Sequence, residues 1–235
     1  MSGNSRSHKK IIKEYILVTG GSGGIGLDVC KKLSQAGYHI IMCYSKNLKN
    51  ISELKKNNFI IPLRINLNNI ASMNNAFKSL KFIIKKDYKF NNLILCASQP
   101  PIISPILKCE GKELLKHFKV SVIGHHYLIT KIINFYFKRN RKGKIFTILS
   151  KGIKNERKPS KYMGPYLIAK FALKQMLQII KIENSWIKIH NVYPGFTKTK
   201  MLSSLDKDYI KLIKKNEKIF STKEISRLIV KKFLK

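Results

Sequence analysis

The chain has 235 residues, 44% of them hydrophobic, which suits one α/β domain with a sizeable core and excludes a disordered chain. No apolar run reaches the roughly 18 residues that span a bilayer. Its 47 Lys and Arg against 12 Asp and Glu give a formal charge of +35, which raises the question of a nucleic-acid or membrane surface. However, Lys far outnumbers Arg, and pairs such as Lys31–Lys32, Lys85–Lys86 and Lys231–Lys232 scatter along the whole chain. This pattern fits compositional drift better than a binding block.

Residues 1–10 are polar and basic and lack the apolar core of a secretory signal, so they read as a flexible tail, with residues 11–235 as one domain. Residues 15–18 form a short β run, followed by glycines and a helix over 25–36. Strands are expected at 39–44, 59–65, 93–97, 145–149 and 187–193. Helices are expected at 51–57, 70–86, 112–138, 166–182 and 222–234. The long helix over 112–138 is marked by Leu114, Leu115, Phe118, Val122, Leu128, Ile129, Ile132 and Ile133 at i, i+3, i+4 spacing. This alternation predicts a Rossmann-like, doubly wound parallel sheet with helices on both faces. Cys30, Cys43, Cys96 and Cys109 form no CxxC pair and read as thiols of a reducing, cytoplasmic compartment. The six histidines lack HxxxH spacing, so no metal site is expected, and His125–His126 reads as packing or interface.

The first strand runs directly into Thr19-Gly20-Gly21-Ser22-Gly23-Gly24-Ile25-Gly26 and then a helix. Glycines there permit positive φ and close approach of the backbone to a pyrophosphate, and the helix N-terminus offers free N–H groups. The spacing Thr-Gly-x-x-x-Gly-Ile-Gly resembles the short-chain dehydrogenase/reductase family in its single-domain branch. The resemblance covers about residues 12–234, and the chain is similar to the 3-oxoacyl-[acyl-carrier-protein] reductases.

It implies a dinucleotide cradle of Gly20, Ser22, Gly24, Ile25 and Gly26, with further contacts from Asn66, Leu67 and Ala97. At the end of the second strand the chain reads Cys43-Tyr44-Ser45-Lys46. An acidic residue there binds the ribose of NAD, and a basic one accommodates the 2′-phosphate of NADP. The missing carboxylate, with Ser45 and Lys46 as phosphate partners, favours NADPH over NAD. The family's Asn-Ala-Gly appears as Cys96-Ala97-Ser98.

Tyr166-Leu167-Ile168-Ala169-Lys170 places Tyr166 and Lys170 on one helical face and is similar to the family's catalytic pair. The resemblance implies that Tyr166 is the acid/base and that Lys170 tunes it and holds the nicotinamide ribose. Ser150, ending the fifth strand, would hold the substrate carbonyl. Ser121, in Val120-Ser121-Val122-Ile123-Gly124, stands where the family places an Asn that supports a water chain from the lysine. Serine is shorter, which motivates an alternative reading as a catalytically weakened dinucleotide sensor. Thr197 and Thr199, after Pro194-Gly195, would meet the nicotinamide amide and phosphates, and residues 201–209 would form a lid.

The insert between Ser150 and Tyr166 is basic (Lys151, Lys154, Arg157, Lys158, Lys161) and could receive an anionic substrate or an acidic carrier protein. The expected activity is NADPH-dependent reduction of a ketone, including a 3-oxoacyl thioester on acyl carrier protein. The seventh strand of the family is not expected here. A homodimer through the long helix is favoured over a tetramer, and a nucleic-acid role rests on charge alone.

Overall fold

The computed structural model describes residues 12–46 and 57–235. The basic tail, and all but the last residue of the helix expected over 51–57, lie outside the described residues. Six parallel strands form one sheet in the order β3-β2-β1-β4-β5-β6. They are β1 (Ile12–Thr19), β2 (Tyr38–Tyr44), β3 (Ile60–Arg64), β4 (Lys89–Leu95), β5 (Gly143–Ile148) and β6 (Ile187–Val192). The order reverses between β1 and β4, so the loops after these strands open a crevice at their carboxyl ends. Pro62 lacks an N–H and is tolerated because β3 is an edge strand.

Alternation along the strands divides the core in two. Ile16, Val18, Ile40 and Met42 face α1 (Gly24–Gln35) and the last helix (Thr222–Phe233), which contributes Ile225, Ile229 and Phe233. Tyr15, Leu17, Ile41 and Leu63 face the other layer. That layer holds α2 (Ile70–Ile83), α3 (residues 111–140) and α4 (Gly164–Glu183). Two short helices, α5 (Lys200–Ser203) and α6 (Lys207–Asn216), precede the last helix, α7 (Thr222–Phe233).

Several features differ from the sequence expectation. β1 and β4 start three and four residues earlier, because their polar first residues pair across the sheet: Asn92 Nδ2 donates to Glu14 Oε1 at 2.7 Å, and Lys13 bridges to Asp87. α3 is continuous but twice takes π-helical turns, at Lys119–Gly124 and Ile133–Phe137. The lid segment expected over 201–209 is helical, with α5 capped by Thr199 and α6 by Asp206.

Candidate active site

A cleft of about 1460 Å³ lies over the carboxyl ends of the strands. It is large enough for a dinucleotide with a small substrate beside it. At one end the glycine loop folds as its composition demands. Gly20 and Gly24 take φ of +65° and +46°. A Cβ on Gly26 would lie 2.4 Å from the Gly20 carbonyl oxygen, so α1 can start this close to β1 only without a side chain. Gly23 faces open space and caps α1 without a side chain, and the first turn of α1 carries no acid. Its amide groups are therefore presented to an anion.

Thr19 secures the loop from behind. Its Oγ1 accepts from the Cys96 and Ala97 amides at 3.1 Å each and lies 3.2 Å from His125 Nε2. His125 Nδ1 is 3.2 Å from the Ser121 carbonyl oxygen. A carbonyl only accepts, so Nδ1 carries the proton and Nε2 accepts from the Thr19 hydroxyl. Burial, reinforced by the Lys170 charge, pushes His125 down to about 4 and keeps it neutral. The sequence suggested packing for this residue; in the structure it is a buried strut between α3 and the glycine loop.

Ser22, Ile25, Tyr44, Ser45, Lys46, Asn66, Leu67, Ala97, Thr197 and Thr199 all line the cleft. Tyr44 is half-buried at the end of β2, and Ser45 and Lys46 are exposed beyond it. Asn66 is held in a turn, its Oδ1 accepting from the Asn68 amide at 3.0 Å. Thr199 also has a structural role: its hydroxyl accepts from the Leu202 amide at 3.2 Å to cap α5, and its methyl lies beside the Gly24 position.

Ser150, Tyr166 and Lys170 meet at the other end of the same cleft. Pro165 starts α4 in a pre-formed turn and so sets Tyr166 facing the end of β5. Lys170 is buried; its Nζ donates to the Ile148 carbonyl oxygen at 2.8 Å and lies 5.6 Å from the Tyr166 ring centroid. Burial lowers Lys170 to about 8, with the Cys96 thiol acting in the opposite direction. Burial raises the Tyr166 phenol to about 12, and the Ser150 hydroxyl facing it acts in the opposite direction. Ser150 also accepts from the Gly152 amide at 3.1 Å, which fixes the turn that follows β5.

Ser121 does not line the cleft. It is buried beneath it in the first π-helical stretch of α3, and its hydroxyl has no protein partner. Gly124 brings that stretch close, since a Cβ there would lie 2.2 Å from the Leu67 carbonyl oxygen. His117, one turn earlier, was not singled out in the sequence. Its ring packs edge-on against Tyr166 at 6.0 Å.

The model of the family described as short chain dehydrogenase matches residues 14–210. The chain belongs to the short-chain dehydrogenase family. It is accordingly an NAD(P)-dependent oxidoreductase, and its glycine loop, open helix N-terminus and uncrowded Gly23 fit a nicotinamide dinucleotide. This short-chain dehydrogenase is 29% identical over 195 residues to a 3-amino-tetrahydro-pyrrolizinone reductase of Xenorhabdus hominickii, covering 78% of this chain and 61% of that one. It is 28% identical over 205 residues to the 3-oxoacyl-[acyl-carrier-protein] reductase FabG of Buchnera aphidicola, covering 84% of this chain and 79% of that one. A 3-ketoacyl-(acyl-carrier-protein) reductase from Brucella melitensis, solved with NADH, superposes with a TM-score of 0.79 at 16% identity, covering 94% of this chain and 91% of that one. At that identity the superposition speaks for the fold alone. No helix among the described residues is long and apolar enough to cross a membrane.

Proposed function

We propose that this short-chain dehydrogenase reduces a ketone with NADPH, with Tyr166 as general acid. The observation that carries the reading is the convergence of Tyr166, Ser150 and Lys170 at one end of a cleft whose other end is the glycine loop. Bound there, a reduced nicotinamide supplies the hydride. As charge builds on the carbonyl oxygen, Tyr166 gives it a proton and the Ser150 hydroxyl donates a second hydrogen bond. The Lys170 ammonium favours the phenolate left behind and is placed to hold the ribose hydroxyls. NADPH rather than NADH is favoured by the absence of a carboxylate around Tyr44, Ser45 and Lys46.

For the substrate, we favour a carbonyl compound with an anionic handle, the 3-oxoacyl thioester of an acidic carrier protein being the leading case. This would place the chain in fatty acid synthesis in the cytoplasm. Lys154, Arg157 and Lys158 line the mouth of the cleft beside Ser150, and the Buchnera relative carries that activity in its name. A homodimer is favoured by apolar side chains exposed on neighbouring helices, Leu115, Ile123 and Phe135 on α3 and Ile168, Ile179 and Ile182 on α4. A dinucleotide sensor is the second reading, favoured by the unpartnered Ser121 hydroxyl.

The test is NADPH oxidation with acetoacetyl thioesters, on carrier protein and on a short pantetheine mimic, beside diacetyl and other small ketones. Turnover that Tyr166→Phe abolishes supports the reductase. NADPH binding without turnover of any ketone supports the sensor.

A further inference from the structure

The mouth of the cleft already holds a carboxylate of the chain itself. Lys151, the residue after Ser150, and Glu217, the residue after α6, both line the cleft, and Lys151 Nζ donates to Glu217 Oε2 at 2.8 Å. Among the described residues this is the one ion pair with both members in the cleft lining. The other carboxylate at the mouth, Glu156, is bound to Lys174 on α4, outside the lining.

The backbone is fixed on both sides of the pair. The Lys151 amide donates to the Pro194 carbonyl oxygen at 2.7 Å, and Lys151 Cδ lies 3.8 Å from where a Cβ on Gly195 would stand. The lysine stem therefore runs beside the Pro194–Gly195 segment. On the far side the Glu217 amide donates to the Ile213 carbonyl oxygen at 2.8 Å, which closes the end of α6. Three residues on, the Phe220 amide donates to the Phe196 carbonyl oxygen and the Phe220 carbonyl accepts from the Lys198 amide, each at 2.8 Å. With both main-chain segments tied down, the pair opens by side-chain rotation alone.

The pair is also easily opened. Its side chains are 59% and 39% exposed, and water screens such a pair so that it shifts an equilibrium by about fivefold at most. The field around it favours an anion, since Lys154, Arg157 and Lys158 line the same mouth. An arriving anion can thus replace Glu217 on the Lys151 ammonium at small cost.

We propose that Lys151 selects the substrate, and that Glu217 occupies the place of the substrate's anion until it arrives. The substrate class is a ketone carrying a carboxylate or phosphate, with its carbonyl on Ser150 and its anion on Lys151. The inference rests on the reductase reading, in which Ser150 holds the carbonyl. On binding, the hydrogen bond from Lys151 to Glu217 breaks, Lys151 donates to the substrate anion, and Glu217 turns to water. A neutral ketone leaves the pair closed. Lys151 touches substrate and moves no proton, and Glu217 acts only through Lys151.

Exchange of one anion for another predicts opposite signs for the two partners. Without Lys151 the substrate anion loses its donor, whereas without the Glu217 charge it loses its competitor. A strap that only holds the fold would open equally whichever end was cut.

The experiment compares wild type, Lys151→Met, Glu217→Gln and the double variant, with NADPH and two matched pairs of ketones. One pair is acetoacetate and its methyl ester. The other is the acetoacetyl thioester of 4′-phosphopantetheine and that of pantetheine. Within each pair the ketone is shared and the charge differs. For the anionic member, Lys151→Met should raise KM about tenfold, the loss of one charged hydrogen bond. Glu217→Gln should lower it about threefold, the strength of an exposed pair. The double variant should match Lys151→Met. The ratio of kcat/KM for the anionic over the neutral ketone should therefore move in opposite directions in the two single variants, and both shifts should shrink in high salt. Opposite shifts in the first pair identify the carboxylate of an oxo acid, and in the second the phosphate of a thioester arm.

If the two single variants move the ratio in the same direction, or by less than twofold in both pairs, the proposal is wrong. If wild type turns over none of the four ketones, the reductase reading fails. Calorimetric titration of the NADP complex with acetoacetate and with 4′-phosphopantetheine then decides for Lys151 by the same opposite signs, and binding of neither anion overturns it.

Discussion

At the proposed dinucleotide end of the cleft the surface is main chain, whereas at the proposed reaction end it is side chains that are buried or half-buried. Gly20, Gly24 and Gly26 do their work by lacking a Cβ, and the first turn of α1 offers amides with no carboxylate to compete for them. Tyr166, Lys170, His117 and His125 are ionisable, and burial shifts each of them toward its neutral form. A surface made of backbone fails by steric clash, which affects binding and fold together. A surface made of titratable groups fails by chemistry, which affects the rate and leaves binding in place. The lysine excess adds little to the fold through ion pairs: every ion pair among the described residues has at least one exposed partner, and such pairs contribute little.

The sharpest way to break this division is Tyr166→Phe. Removing the phenolic proton while keeping the ring should lower the reduction rate about a thousandfold. NADPH affinity, measured by quenching of protein fluorescence, should stay within threefold. A variant that loses both would show that the two ends are one unit.

At the other end, Gly26→Ala forces a Cβ to within 2.4 Å of the Gly20 carbonyl oxygen. The loop must shift, and dinucleotide affinity should drop at least about tenfold, or 1.4 kcal/mol, together with a lower unfolding midpoint. Gly23→Ala is the control. Its Cβ would meet nothing within 4 Å, so the apo fold should keep its stability within about 1 kcal/mol. Equal loss of stability in both would remove the steric argument.

A third prediction concerns Lys170 and pH. Its folded pKa, about 8, lies below the 10.5 of the free side chain, so between these values the unfolded chain holds more protons. Stability is therefore penalised in full below pH 8, and the penalty fades as pH rises through 10.5. In the apo protein Lys170→Met should be more stable than wild type at pH 7 by about 2 kcal/mol, after allowing for the lost bond to the Ile148 carbonyl. The difference should close above pH 10. A difference in unfolding free energy that stays constant across that range would mean that Lys170 is not desolvated.

The same division explains what the sequence makes legible. The glycine loop could be read because turn geometry and close approach admit one residue type, and because a strand precedes it and a helix follows. Tyr166 and Lys170 could be read from i, i+4 spacing at a fixed place among the strands. His117 could not: a lone histidine in an amphipathic helix looks like any half-polar position, and only the packing of α3 on α4 brings it to Tyr166. The π-helical turns of α3 were equally hidden, since hydrophobic spacing of three and four residues tolerates an inserted residue. The start of β4 was obscured because Asn91 and Asn92 read as loop, whereas the partner of Asn92, Glu14, lies 78 residues away. Local rules carry what depends on local geometry, and contacts distant in sequence carry the rest.

The smallest expected effect tests where the dinucleotide end stops being pure backbone. Tyr44 stands half-buried at the end of β2, followed by exposed Ser45 and Lys46, and these three set the only side-chain chemistry proposed for the adenosine ribose. Tyr44→Asp introduces a carboxylate that can accept from both ribose hydroxyls of NADH and repels a 2′-phosphate. Because the position is near solvent, screening limits the change, and the ratio of kcat/KM for NADPH over NADH should fall about tenfold. Lys46→Ala should move the ratio in the same direction but less, since an exposed ammonium contributes to a phosphate contact mainly as a screened charge. If Lys46→Ala moves the ratio more than Tyr44→Asp, recognition at this end rests on attraction by the lysine. If the ratio follows Tyr44→Asp, the absence of a carboxylate is what admits the phosphate, and the lysine is one more member of a lysine-rich surface.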